Sequence, residues 1–206
     1  GFCAGDTCYL ASCQHVQTGN WTGKIVEIGV APAGLTLGAI LDLSEEDASY
    51  IGFSGTFTDE KGFGYVTSYT NSKVVRFGLS PFAFEDAKDF ANYGISHFDF
   101  GVHDETYGGL LGSADSPKII QFDWAAQAFR ELDVSSAFSW LTGWGFYGFA
   151  HSRGDLFLSS PLDHRSFYRG CLQEWSPTAT TTPEEEADES TSSSSTSTTS
   201  TAVTST

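Results

Sequence analysis

Residues 24–30 read KIVEIGV and residues 50–57 read YIGFSGTF, and these two stretches decide the fold class. In the first, Val26, Ile28 and Val30 fall on one face of an extended chain. In the second, Ile51, Phe53 and Phe57 alternate with Gly52, Ser54 and Thr56. A period of two, with β-branched and aromatic residues at the apolar positions, is the pattern of a half-buried strand. The signal returns over 63–69, 73–79, 95–102, 118–124, 138–149 and 155–159. Turn formers such as Lys61-Gly62, Tyr107-Gly108-Gly109 and Arg153-Gly154 separate these segments. Segments 82–93 (FAFEDAKDFANY) and 124–132 (WAAQAFREL) read as short helices, too short to organise a domain. The sum predicts an all-β protein, a single sandwich- or prism-like domain of antiparallel strands. No internal repeat of fixed period is evident, which argues against a propeller.

The chain has 206 residues, 40% of them apolar, enough for one core. Its composition breaks at Ser176. Residues 1–175 are expected to form the domain, and residues 176–206 contain neither an aromatic nor a basic residue. Such a Ser/Thr-rich tract cannot bury enough apolar surface to offset the entropy of ordering. It reads as a disordered, O-glycosylated stalk, with a plain flexible linker as the alternative. The sequence starts at Gly1 and contains no Met, so a processed chain or an excised fragment is expected, with removal of a signal peptide as one route. No stretch approaches the roughly 18 apolar residues of a membrane-spanning helix, although a lipid anchor added after tail cleavage would leave a similar end.

Formal net charge is −16, from 26 Asp+Glu against 10 Lys+Arg. That field repels phosphate backbones and anionic lipid, so neither nucleic acid nor membrane insertion is expected, and glycans or glycoproteins fit better as partners. Cys3, Cys8, Cys13 and Cys171 suggest two disulfides. One would tie the N-terminal cluster to Cys171 and the other would stay within the cluster, with the connectivity open. The competing zinc reading meets the wrong spacing, C-x4-C-x4-C. Asn20-Trp21-Thr22 is an acceptor sequon for N-glycosylation, which matches an oxidising, secretory compartment. A secreted or extracellular glycoprotein, with attachment to the cell surface as an option, follows.

Residues 95–105 read ISHFDFGVHDE. Strand alternation would set Phe98, Phe100 and Val102 on one face and His97, Asp99, His103 and Glu105 on the other. On a strand His97 and His103, six residues apart, are separated by about 20 Å, too far for one ion to bridge. Only His97 with Asp99, or His103 with Glu105, could share a metal, and an ordinary solvated face is the simpler reading; no metal or cofactor is assigned. Residues 140–149 alternate Trp140, Thr142, Trp144 and Phe146 against Leu141, Gly143, Gly145, Tyr147 and Phe149. One ring set belongs to the core, and the other is a candidate platform for the apolar face of a sugar. Arg153-Gly154-Asp155 matches an adhesive triplet in a turn, which ordinary hairpin chemistry also explains. No nucleophile elbow, phosphate loop, dinucleotide fingerprint or H-E-x-x-H pair occurs. The best hydrolase case is Asp104 or Glu105 paired with Asp123 or Asp155.

The segment 95–158 resembles the later part of a jacalin-type lectin, the β-prism sugar binders. The likeness lies in ISHFDF, in TYGGLLGS over 106–113, and in GWGFYG over 143–148. It implies a β-prism and a sugar site in the loops. The G-x-x-x-D element of that family does not follow Gly148, and Asp155 is the only acid nearby. The resulting expectation is a carbohydrate-binding or adhesive module on a stalk, a binder rather than an enzyme, with Tyr107, Trp144, Tyr147 and Asp155 in its loops. A secreted glycan-active hydrolase and a surface or effector protein that binds another protein are the alternatives.

Overall fold

KIVEIGV forms a strand because its neighbours on both sides are strands of the same period. The computed structural model describes residues 1–12, 20–95, 97–104, 108–113, 116–126, 128–133, 148–152, 155–159 and 167–171. The first sheet is a meander of β1 (Phe2–Ala4), β2 (Thr7–Ala11), β3 (Lys24–Ala31) and β4 (Gly34–Asp42). The second holds β5 (Phe53–Thr58), β6 (Phe63–Ser68), β7 (Lys73–Leu79) and β8 (Phe82–Asp89). The third holds β9 (Phe100–Asp104), β10 (Gly108–Ser113), β11 (Ser116–Asp123) and β12 (Ala128–Asp133). The fourth contains β13 (Gly148–Ser152), β14 (Asp155–Ser159) and β15 (Phe167–Cys171). Every pairing is antiparallel and joins strands consecutive in the chain.

The all-β antiparallel class therefore holds, and the sheets follow a repeat that residue identities do not reveal. Their first strands begin at Phe2, Phe53, Phe100 and Gly148, a spacing of about 50 residues. The first strand of each sheet packs beside the first strand of the next, β1 by β5, β5 by β9 and β9 by β13. Successive meanders joined through their innermost strands have the order of propeller blades.

This order explains the burial pattern. The second sheet is covered on both faces, so its central strands are buried along most of their length, Thr67 and Ser68 included. Tyr65 and Val74 enter a core shared with Phe98, Leu111, Ile120 and Phe122 of the third sheet and its approach. Their chain neighbours Val66 and Val75 turn the other way, into a core with Tyr9, Ile25 and Leu43 on the first-sheet side. Close approach of β5 and β9 depends on two glycines. A Cβ on Gly55 would lie 2.8 Å from Phe100 Cα, and one on Gly101 would lie 2.3 Å from Phe57 Cε1.

Three local expectations are corrected. Residues 82–93 are not a helix but β8 followed by a 3-10 turn, Ala91–Tyr93. Pairing with β7, Phe77 opposite Phe84 and Leu79 opposite Phe82, outweighs the weak helical pattern. Residues 124–132 are a turn followed by β12. Asp123 Oδ1 accepts from Ala125 N at 2.9 Å and Ala126 N at 3.0 Å, and so reverses the chain. The strand expected over 95–102 starts only at Phe100. Ile95 and Phe98 are buried ahead of it in irregular backbone, where Phe98 N donates to Ser68 O and Asp99 N to Gly112 O.

Cys3 and Cys8 face each other in the β1–β2 register and are disulfide-bonded. Cys13 lies outside the described residues. Cys171 closes β15 opposite Asp155 on β14.

Candidate functional site

Trp21 is 38% exposed and Tyr69 is 45% exposed, unusual for rings of that size, and the two meet with ring centroids 6.0 Å apart. The meeting is built by Gly52. Gly52 N donates to Thr22 O at 2.9 Å, and Gly52 O accepts from Tyr69 N at 2.8 Å, so one residue clamps both ring-bearing segments. Its φ of 68° is a left-handed conformation suited to glycine. A side chain there would strike Thr70 Cγ2 at 2.5 Å and Trp21 Cε3 at 3.2 Å.

His97 extends the row, its ring centroid 4.9 Å from that of Tyr69. Segments leading into or out of three successive sheets thus deliver Trp21, Tyr69 and His97 to one stretch of surface. Polar groups border it. His97 Nε2 stands 4.0 Å from Asp99 Oδ2, and the Thr70 hydroxyl contacts Ser68 Oγ at 3.0 Å. Asn71 Nδ2 donates to Ser49 O at 2.9 Å, which fixes the turn beyond Tyr69. Exposed rings with hydroxyl and carboxylate groups beside them can stack on the C–H face of a ring while bonding its hydroxyls.

A concave feature lies at the opposite ends of β6 and β9. It is a cavity of about 360 Å³ lined by Asp59, Glu60, Lys61, Arg76, His103, Gln121 and Trp124, among others. Asp59 organises its floor. Oδ1 accepts from Lys61 N and Phe63 N, each at 3.0 Å, and Oδ2 accepts from Tyr65 Oη at 2.9 Å. Burial first, and then this bond to Asp59, push the Tyr65 phenol well above its ordinary range, so it remains a proton donor. Trp124 Nε1 donates to Asp86 Oδ2 at 3.2 Å, and its ring packs edge-on against Tyr65 and Phe122.

Tyr107, Trp144 and Tyr147 lie outside the described residues. Asp155 opens β14 opposite Ser152 and Cys171. The polar face expected from 95–105 does not form as one face: His97 and Asp99 precede β9, whereas His103 lies within it, with Nδ1 3.5 Å from Glu60 Oε1. Glu105, its expected partner, lies outside the described residues. Among the described residues no group of three or more potential ligands could hold a metal ion, and no helix is long and apolar enough to cross a membrane. Of the proposed hydrolase carboxylates, Asp123 is engaged as a turn cap. Sequence reasoning missed Trp21 and Tyr69 as surface rings. Their signal was a large aromatic residue set among turn formers, in GNWTG and SYTNS.

No family model and no curated protein matches the chain. Among solved structures it is similar to Sqt1 of Saccharomyces cerevisiae, at 10% identity over 68% of this chain and 36% of that one, with a TM-score of 0.48. The chain thus spans about a third of the length of Sqt1. A hemopexin fold protein, CP4, from cow pea matches at 13% identity over 72% of this chain and 83% of that one, TM-score 0.40. A plant lectin with two metal binding sites from Cicer arietinum matches at 14% identity over 72% and 77%, TM-score 0.39. Likeness at this level assigns no ligand, which has to be read from the chain's own residues.

Proposed function

We propose that the protein is a secreted or cell-surface carbohydrate-binding module that breaks no bond. The observation that carries this reading is the row of Trp21, Tyr69 and His97, brought to one surface from three successive sheets and bordered by Asp99 and Thr70. Pyranose rings present an apolar face that rewards such stacking, while their hydroxyls need the flanking donors and acceptors. The net charge of −16 favours neutral partners over polyanions.

In this reading residues 1–175 are the binding unit and residues 176–206 an O-glycosylated stalk, with Asn20 as an N-glycan acceptor at the edge of the ring row. Tyr107, Trp144, Tyr147 and Asp155 are proposed as further sugar-contacting residues, apart from that row. A glycan array probed with the wild-type protein and with Tyr69→Ala tests the reading: binding to defined glycans that falls with the ring supports it. Binding to no glycan, with release of reducing ends from a polysaccharide, points to the hydrolase alternative. Absence of both, with capture of a defined protein, points to a protein-binding role.

A further inference from the structure

The cavity at the far ends of β6 and β9 contains a positive charge, Arg76, for which the described residues supply no counter-ion. Arg76 stands on β7 opposite Tyr65 of β6 and Asp86 of β8. Its guanidinium carbon lies 4.5 Å from the Phe63 ring centroid and 5.4 Å from that of Trp124, so two rings hold it in place. Its Nε is buried and has no hydrogen-bond acceptor. Among the described residues, no carboxylate oxygen comes within 4.0 Å of the Arg76 guanidinium or the Lys61 ammonium. A shortage of acids does not explain this, since Asp and Glu number 26 against 10 Lys and Arg.

The acids in the cavity wall are already engaged. Asp59 holds two backbone amides and the Tyr65 hydroxyl, and Asp123 holds two amides of its turn. Glu60 sits at the rim, half exposed, beside His103. A guanidinium cannot lose its proton to relieve the cost of partial burial, and beyond the two rings and the Tyr65 hydroxyl an external anion would answer its charge.

We infer that this cavity binds a small molecule bearing one carboxylate, with Arg76 as its anchor and Lys61 and His103 at the mouth. The planar fork of Arg suits two parallel bonds to a carboxylate. The negative field of the chain selects against heavily charged ligands such as polyphosphates. The carboxylate can come from an acidic sugar or from a simple organic acid. The site is separate from the ring row and stands whether or not that row binds sugar.

Titration calorimetry of the full chain with glucuronate, glucose and lactate tests the inference. Glucuronate should bind in a manner that depends on Arg76, and any binding of glucose should not depend on it. Lactate binding equally well identifies a simple acid as the source, and lactate binding much more weakly identifies an acidic sugar; both support the carboxylate site. Arg76→Gln should weaken binding about tenfold or more, as expected for loss of a charge-assisted bond. If Arg76→Gln does not fold, Lys61→Gln in its exposed turn decides, with a loss of about fivefold expected. Absence of binding by both acids, binding of glucose that depends equally on Arg76, or unchanged acid affinity in the folded variant overturns the inference.

Discussion

Replacing Gly55 with Ala tests whether the inner strands of the second and third sheets are in direct contact. The new Cβ would lie 2.4 Å from Thr67 Oγ1 and 2.8 Å from Phe100 Cα. The first clash moves a fully buried side chain whose hydroxyl accepts from Gly55 N at 2.9 Å. The second is with backbone, which must retreat by about 0.6 Å to reach ordinary contact. Overpacking costs about 1–3 kcal/mol, and the weakened bond adds about 1 kcal/mol, for a total of about 2–4 kcal/mol. That is a large part of the stability of an average domain, about 5–15 kcal/mol. With a urea slope of about 2 kcal/mol/M, the midpoint should fall by about 1–2 M. Gly62→Ala is the control. Gly62 has φ of 85° but no atom within 4 Å of its Cβ position, so only backbone strain of about 1 kcal/mol applies. Urea unfolding followed by tryptophan fluorescence compares the two. A Gly55→Ala midpoint equal to wild type, or above that of Gly62→Ala, would refute the contact between β5 and β9.

Further outcomes follow from the same geometry. Asp89 Oδ1 accepts from Ser72 Oγ at 2.5 Å and Ala91 N at 2.9 Å. The Ser72 bond, opposed by burial but helped by the Ala91 amide and the charge of Lys73, holds the carboxyl below its ordinary range. A folded value below the unfolded one adds stability at neutral pH that is lost as pH falls from about 4 through the folded value. Asp89→Asn should therefore be less stable than wild type at pH 7, and the gap should narrow in urea titrations near pH 2.5; a gap of constant size contradicts the assignment. With Cys3 and Cys8 paired, Cys13 and Cys171 should form the second bridge and close nearly the whole domain into one loop. Peptide mapping without reductant should yield a Cys13–Cys171 peptide and no free thiol, and two free thiols would refute this.

Much of the fold was legible wherever apolar alternation was strong. The expected bounds of 73–79 and 155–159 are those of β7 and β14, and 24–30 falls one residue short of β3. Edge strands were harder to read. FAFEDAKD puts charges on most of its outer positions, so β8 showed its period only through its pairing with β7. The sheet repeat was invisible because it lies in strand count and spacing, not in residue identity. β1 and β13 differ in length and share no recurring motif. The ring row was half legible. Trp21 and Tyr69 could be recognised as rings among turn residues, but they are 48 positions apart in sequence. Only the backbone bonds of Gly52 to Thr22 and Tyr69 bring them together.

The most direct test of the carbohydrate reading is the affinity of the wild-type protein, beside Trp21→Ala and Tyr69→Ala, for the strongest glycan on an array. Both rings are partly exposed, so each variant should keep the wild-type fold by circular dichroism and unfold within about 1 kcal/mol of it. Each should bind the glycan at least about tenfold more weakly, the loss of about 1.4 kcal/mol expected when a central ring is removed from a binding surface. Equal affinity in wild type and both folded variants would contradict the account.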